Sequence, residues 1–147
     1  MIPDFEKNGN LPPGIYEAFW DEFCERFGFT KHRQWLINGL QAALKTLSYA
    51  GCDIVYINGS FVTAKKEPND YDLCWSVNTV VPELLDSDLL DFSHEGRALM
   101  KKKYRGDLFP AEIPEGVSGK TFLNFFQTDK YTGESKGIIS LKIRRMS

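Results

Sequence analysis

The chain of 147 residues is 42% hydrophobic and 14% aromatic, which is enough apolar material for the core of one domain. Its formal net charge of −2 excludes the overall basic character of proteins that bind nucleic acid over their whole surface, although a local basic patch stays compatible with it. No apolar run approaches the roughly 20 residues of a membrane-spanning helix. We therefore expect one domain over residues 1–147 without a membrane partner, in which residues 1–14 form an extended N-terminal arm.

Two helices are predicted after the arm. The first is predicted over residues 15–27, where four aromatic residues share one face: Phe19, Trp20, Phe23 and Phe27. Thr30 is suited to cap the second helix, in which apolar residues recur at spacings of three and four. Gly51 is suited to end that helix, because glycine readily adopts the backbone conformation found just after a helix C-terminus.

The middle of the chain predicts two strands separated by a turn. Residues 52–57 are a short apolar run, which suits a strand buried on both faces of a sheet. A single helical turn is predicted over residues 61–65, followed by a loop. Residues 70–77 alternate strictly, and this pattern predicts a second strand whose two aspartates point to the same face. One face would carry Asp70, Asp72, Cys74 and Ser76, and the other Tyr71, Leu73, Trp75 and Val77.

The last third of the chain predicts further helices and strands. Helices are expected over residues 82–91, 93–103 and 121–126, and strands over residues 104–113 and 137–143, the latter at a sheet edge. The complete predicted order is α-α-β-β-α-α-β-α-β. This order predicts an α+β fold, in which helices pack on a small mixed β-sheet.

The cysteines predict a protein from a reducing compartment. Cys24, Cys52 and Cys74 are odd in number, form no CxxC pair and lie among apolar residues. They are therefore expected to be buried, reduced thiols, which fits a cytoplasmic location.

Paired carboxylates are the main chemical signal in the sequence. Asp70 and Asp72 on one strand face would lie about 6.6 Å apart, at roughly 3.3 Å per residue. Such a pair can hold a hard cation such as Mg²⁺, which binds carboxylates together with substrate phosphates. Asp107 is the best candidate for a third carboxylate, and Asp129 is the weaker alternative. The simpler interpretation is that these residues are charges at the solvated ends of strands.

A Gly-Ser turn precedes the carboxylates. Gly59 permits close backbone approach or a positive φ, and Ser60 supplies a hydroxyl and an N–H group where a helical turn begins. Lys65 and Lys66, in the following loop, could add positive charge beside a triphosphate. The alternative is an ordinary turn glycine followed by two solvated lysines.

Taken together, NGSFVTAKKEPNDYDL resembles the nucleotidyltransferase superfamily, in which a strand is followed by Gly-Ser, a short helix and Asp-x-Asp on the next strand. The resemblance implies a polymerase β-like core in which Gly59 and Ser60 touch the phosphates of a nucleotide. It also implies that Asp70 and Asp72 bind Mg²⁺ or Mn²⁺, with Asp107 matching a carboxylate that the superfamily supplies from a later strand. Size and motif look closest to the minimal nucleotidyltransferases, which often act in toxin–antitoxin pairs.

A narrower resemblance covers most of the chain. The segments LPPGIYEAFWDEF, GSFVTAKKEPNDYDLCW and GDLFPAE look like an uncharacterised bacterial and phage protein family with a nucleotidyltransferase-like core. The chain departs from the minimal enzymes at three places. Asn69-Asp70 stands where they have Ser-Asp before the acidic pair. Phe61 stands where they usually have an arginine, and Thr63-Ala64 lies near the position of their second glycine.

Three functional hypotheses follow. The first is an enzyme that transfers a nucleoside monophosphate from an NTP, expected to be ATP, to a hydroxyl on a protein or RNA, in a toxin–antitoxin or phage-defence setting. The second is a catalytically inactive module of the same fold that acts through a partner protein. The third is an RNA binder that uses a basic edge formed by residues 101–103 and 144–145. The sequence leaves the oligomeric state open.

Overall fold

A computed structural model describes residues 1–129 and 131–143 of the chain. Its five strands are β1 (Gly14–Ala18), β2 (Ile54–Asn58), β3 (Tyr71–Trp75), β4 (Gly106–Pro110) and β5 (Gly137–Lys142). Its four α-helices are α1 (Trp20–Phe27), α2 (Lys31–Tyr49), α3 (His94–Tyr104) and the short α4 (Phe122–Phe125). Three 3₁₀ turns cover Gly59–Val62, Pro82–Leu84 and Ser87–Leu90. The predicted combination of a small mixed sheet with packed helices is confirmed.

The sheet has the strand order β1-β5-β2-β3-β4. Strands β2 and β3 are antiparallel, as are β2 and β5, whereas β1 runs parallel to β5 and β3 runs parallel to β4. Helix α2 contributes a fully buried row of four leucines to the core: Leu36, Leu40, Leu44 and Leu47. The parallel pairing of β3 with β4 matters most for the candidate site, because it sets Asp72 beside Asp107.

The predicted helix over residues 15–27 is wrong in its first part. Residues Gly14–Ala18 form β1, which pairs in parallel with β5 from Gly14 opposite Gly137 onward. The aromatic spacing correctly identifies α1, where Phe23 and Phe27 are buried, but Phe19 lies before that helix and is 81% exposed. Sheet pairing outweighs the local pattern here, because five residues are too few to show a period.

Two further predictions about elements are corrected. Strand β5 is not at a sheet edge, because β1 covers its other side, and residues 137–141 are all buried. The segment 82–91 forms two 3₁₀ turns instead of one helix. Between them, the Asp86 carboxylate caps the second turn by accepting from the Asp88 N–H at 3.0 Å, and it also accepts from the Tyr104 hydroxyl. These bonds hold residue 86 out of a continuous helix.

The N-terminal arm packs on its own domain. Leu11 is buried in the core, and the Phe5 ring lies against Phe27 with a centroid distance of 6.2 Å. The Arg26 guanidinium stacks 4.3 Å from the Phe5 ring centroid and donates to the Pro3 carbonyl at 2.8 Å. The arm is therefore part of the fold, as contacts from α1 hold it in place.

The ends of α2 match the sequence prediction. The Thr30 hydroxyl accepts from the Arg33 N–H at 3.1 Å and so caps the helix N-terminus. Gly51 has a φ of +97° just after the helix, the conformation that favours glycine there. Cys52 and Cys74 are buried as predicted, whereas Cys24 is partly exposed, and all three are free thiols. None of the helices within residues 1–129 and 131–143 combines the length and apolarity needed to cross a membrane.

Arg33 is a fully buried arginine that fastens the segment after the Gly-Ser turn. Its five side-chain hydrogen bonds all go to backbone carbonyls, those of Phe27, Phe61, Thr63 and, twice, Lys65, at 2.6–3.0 Å. Burial lowers the pKa of its guanidinium to about 10, so the group stays charged at neutral pH. Since guanidinium has five N–H donors, its whole hydrogen-bonding capacity is used: four donors hold this segment against α2, and one holds the last residue of α1.

Replacing Arg33 should weaken the whole fold. Arg33→Met leaves buried carbonyls without their donor, so we expect the free energy of unfolding to fall by about 3 kcal/mol or more. Arg33→Lys keeps the charge but loses the planar fork, and it should recover only a small part. Urea denaturation measures both. Lys31→Met, an exposed change in the same helical turn, is the control and should change stability by less than about 0.5 kcal/mol. A loss of under about 1 kcal/mol for Arg33→Met would contradict this role.

Candidate active site

The three predicted carboxylates meet at one end of β3 and β4. Asp72 lies directly opposite Asp107 in the parallel pairing of the two strands. Asp70 precedes β3 by one residue and sits two positions from Asp72, so a strand places both on the same face. The Lys101 Nζ lies 3.3 Å from Asp70 Oδ2 and 3.5 Å from Asp107 Oδ2. Asp70 and Asp107 therefore share one cation from α3.

The Gly-Ser turn touches the middle carboxylate. The antiparallel pairing sets Asn58 opposite Asp72, so the next residue, Gly59, begins its turn beside that carboxylate. Gly59 has a φ of +79°, and a Cβ there would overlap Asp72 Oδ2 well inside van der Waals distance. Glycine is thus required twice, for its backbone conformation and for the space that the carboxylate occupies.

Crowding and burial shift the charge of the middle carboxylate. Burial, reinforced by the nearby negative charges of Asp70 and Asp107, raises the pKa of Asp72 to about 7. The positive charges of Lys136 and Lys101 oppose this rise but do not cancel it. At neutral pH the carboxylate therefore sits near the midpoint of its titration, in a place where negative charge is already concentrated.

Asp107 is the most enclosed of the three carboxylates. Its side chain is 8% exposed, and Oδ1 is buried without a hydrogen-bond partner among the described residues. Its other oxygen lies 3.6 Å from the Arg97 Nη2. In residues 1–129 and 131–143, no three His, Cys, Asp or Glu side chains stand ready as a metal-binding group. Instead, Lys101 and Arg97 supply the counter-charge.

A cavity of about 430 Å³ opens beside the carboxylates. Its lining includes Gly59, Ser60, Thr63, Lys65, Asp70 and Asp72 on the side of β2 and β3. The other wall includes Phe125, Phe126, Thr128, Asp129 and Lys136, from α4 and the segment before β5. The cavity thus combines Asp70, Asp72 and the Gly-Ser turn with two lysines and an aromatic wall, whereas Asp107 is not among the residues that line it.

The remaining predicted site residues divide into two groups. Lys65 lines the cavity, but Lys66 does not: it is exposed, and its carbonyl accepts from the Thr30 hydroxyl at 3.2 Å. Asp129 also lines the cavity, yet one carboxylate oxygen accepts from the N–H groups of Tyr131 and Thr132 at 2.8 and 3.2 Å. These bonds lower the pKa of Asp129, and they show that its carboxylate stabilises a turn.

Phe61 anchors the Gly-Ser turn in the core. Its side chain is fully buried and packs against Phe23 and Phe27, with centroid distances of 5.9 and 6.3 Å. Phe61 is therefore part of the core that carries the Gly-Ser turn. Its side chain therefore contributes no polar group to the cavity, whose positive charge comes from Lys65 and Lys136.

These features define a mixed α/β domain with a carboxylate-bearing cleft at the end of two parallel strands. The chain matches the model of a family of unknown function, DUF6932, over residues 3–142, and it belongs to that family. Neither a curated protein nor a solved structure matches the chain.

The contact between Gly59 and Asp72 yields a stability prediction. Gly59→Ala introduces strain from the positive φ, about 1–2 kcal/mol, and an additional overlap with the carboxylate. We expect a total loss of about 3 kcal/mol in the free energy of unfolding, measured by urea denaturation. Gly119→Ala is the matched control, because Gly119 has nearly the same φ, +76°, with open space at its Cβ position. Equal losses of unfolding free energy in the two variants would show that the Asp72 carboxylate is not in close contact with this turn.

The raised pKa of Asp72 predicts how stability depends on pH when no divalent cation is present. An unfolded aspartate ionises near pH 4, whereas folded Asp72 does so at about 7, so folding retains the proton between these values. The stabilising contribution of Asp72 to the free energy of unfolding is complete below about pH 4 and is lost as pH rises to about 7. Asp72→Asn should flatten this fall and raise the free energy of unfolding at about pH 8 by roughly 2–4 kcal/mol.

Urea denaturation in EDTA at a series of pH values measures this effect. Asp4→Asn, which changes an exposed aspartate of the arm, is the control and should leave the pH profile unchanged. A loss of stability at about pH 8 in Asp72→Asn would mean that the ionised carboxylate is favourably paired, contrary to the structure.

Proposed function

We propose that this protein is a nucleotidyltransferase that requires Mg²⁺ or Mn²⁺ and has a polymerase β-like core. It would transfer a nucleoside monophosphate from an NTP, expected to be ATP, to a hydroxyl group on a protein or an RNA. The observation that carries this proposal is the contact between Gly59 and Asp72, which joins a phosphate-type turn and two of the three carboxylates in one cavity.

The chemistry of the donors suits a hard divalent cation, and binding one would require the three carboxylates to rearrange, because they form no ready metal-binding group in the described residues. Asp70, Asp72 and Asp107 offer only carboxylate oxygens, the ligands that Mg²⁺ prefers, and Asp107 Oδ1 is a buried acceptor without a protein donor in the described residues. Burial first, and then the negative charges of Asp70 and Asp107, raise the pKa of Asp72, and a bound cation would favour its ionised form. When bound, the metal would neutralise charge on the phosphate oxygens during transfer. For this to happen, Lys101 must release Asp70 and Asp107.

The chain's own residues would divide the remaining work. Gly59 and Ser60 would hold phosphate oxygens through the turn, and Lys65 and Lys136 would face the two phosphates that leave. The acceptor oxygen bonds to the α-phosphorus as the bond from that phosphorus to the bridging oxygen breaks, releasing pyrophosphate. Asp107 would take the proton of the acceptor hydroxyl. Positioning and charge neutralisation supply most of the rate in such a reaction.

A second candidate function has one observation in its favour. Lys101 already neutralises two of the three carboxylates, as a domain that has lost its metal would require. Under this alternative, the chain would be an inactive nucleotidyltransferase-like module that acts through a partner protein. A role in a toxin–antitoxin or phage-defence system rests, for either candidate, on the resemblance noted in the sequence.

The basic edge gives little support to a third candidate, RNA binding. Lys101 engages the carboxylates, and Lys103 lies 2.5 Å from Asp86 and 3.3 Å from Asp88, so only Lys102 of this run is uncommitted to a described ion pair. Residues 144–145 lie outside the described part of the chain.

Label transfer separates the first two candidates. The protein is incubated with host extract and Mg²⁺ or Mn²⁺, using each NTP labelled in turn at the α- or the γ-phosphate. We expect covalent label in a protein or RNA from the α-labelled NTP only, because nucleotidyl transfer retains that phosphorus and releases the γ-phosphate. Asp70→Asn and Asp72→Asn should each reduce transfer by at least about 100-fold, as both would hold the metal.

Asp53→Asn is the control, because it removes a carboxylate just before the opposite end of β2 and should leave transfer unchanged. Absence of transfer, together with no rise in the melting temperature of the wild type on adding Mg²⁺ or Mn²⁺, would overturn the enzyme proposal and favour the inactive module.

A further inference from the structure

An array of five phenylalanines runs from the surface to the wall of the cavity. Phe109 lies at its centre, with ring centroids 6.1 Å from Phe92, 4.7 Å from Phe122 and 5.5 Å from Phe126, all three nearly parallel to it. Phe125 meets Phe126 edge-on at 5.3 Å. Such offset and edge-to-face contacts fix each ring against its neighbours. The array is therefore a rigid unit and not a set of independent side chains.

The array is attached to the same strand as the third carboxylate. Asp107 and Phe109 are two residues apart on β4, so both point to the same face of the sheet. Arg97 also links them, because its guanidinium lies 3.6 Å from Asp107 and 5.6 Å from the Phe109 centroid. The aromatic wall thus has a fixed position relative to the carboxylates.

The cavity has two chemically different parts. One contains the Gly-Ser turn, Lys65 and two of the aspartates, and it suits a phosphate chain with a cation. The other contains Phe125 and Phe126, the members of the array that line the cavity. Phe125 is 36% exposed although it belongs to a packed aromatic array. Its exposed ring leaves apolar surface uncovered inside a polar cavity.

We propose that the exposed ring of Phe125, which Phe126 supports edge-on, forms a platform on which the base of the nucleotide stacks, and that the platform selects a purine. This inference rests on the proposed nucleotidyltransferase function and names its substrate class. Aromatic rings bind every base through its flat face, and the larger purine covers more of that surface than a pyrimidine. The rigid array lowers the entropy lost on stacking, because the platform ring is already held in place.

Calorimetric titration of the full chain in Mn²⁺ tests the platform. Three ligands are compared: inorganic tripolyphosphate, α,β-methylene-ATP, which cannot be cleaved at the α-phosphorus, and the matching UTP analogue. We expect the ATP analogue to bind at least about tenfold more tightly than tripolyphosphate, with the UTP analogue in between. Phe125→Leu and Phe126→Leu should each remove most of this advantage while leaving the affinity for tripolyphosphate unchanged.

Phe92→Leu is the matched control, since Phe92 is equally part of the array and 40% exposed but is not among the residues that line the cavity. It should bind all three ligands as the wild type does. Retained binding of tripolyphosphate also shows that each variant is folded.

The possible failures are distinguishable. If tripolyphosphate and both analogues fail to bind the wild type, the proposed function itself is overturned. If all three bind with equal affinity, or if Phe92→Leu loses as much as Phe126→Leu, phosphate binding stands but the platform is overturned. Equal binding of the two analogues, both above tripolyphosphate, would retain stacking and overturn the selection for purines.

Discussion

The buried guanidinium of Arg33 is the constraint on which the candidate site depends. Its five hydrogen bonds tie α2 to the last residue of α1 and to three carbonyls of the Gly-Ser turn and its following loop. A loop held at three successive points cannot move independently of the core, and it also carries Phe61 into that core. The position of Gly59 beside Asp72 is therefore fixed by a charged group that lies well away from the chemistry.

Strand pairing places the carboxylates of the site, and their electrostatic environment is unfavourable to their ionised forms. The pairing of β3 with β4 sets two carboxylates side by side, and a third follows from the alternation along β3. Burial, reinforced by repulsion from Asp70 and Asp107, raises the pKa of Asp72, while Lys101 and Arg97 offset part of the negative charge of the cluster. A folded protein retains such a cluster at the expense of stability, and functional sites are where this occurs most often.

The sequence correctly placed Asp70 and Asp72 on one face of a strand, because strict alternation over residues 70–77 fixes which side chains share a face. It could not predict Lys101, because three consecutive lysines look alike until the packing of α3 beside β4 selects one of them. Strand β1 was missed for a similar reason, since its partner β5 lies more than a hundred residues away. Arg33 did leave a signal: it precedes Leu36 and Leu40 on the apolar face of α2, where a charge needs a buried partner.

A crystal structure with Mn²⁺ and α,β-methylene-ATP is the most direct test of the proposed metal site, because anomalous scattering locates the metal independently of the protein. We predict an anomalous peak bound by oxygens of Asp70, Asp72 and Asp107. The Lys101 Nζ should have moved away from the carboxylates, and the phosphates should lie at Gly59 and Ser60. An intact Lys101 bridge between Asp70 and Asp107, with the metal absent or bound elsewhere, would contradict this prediction.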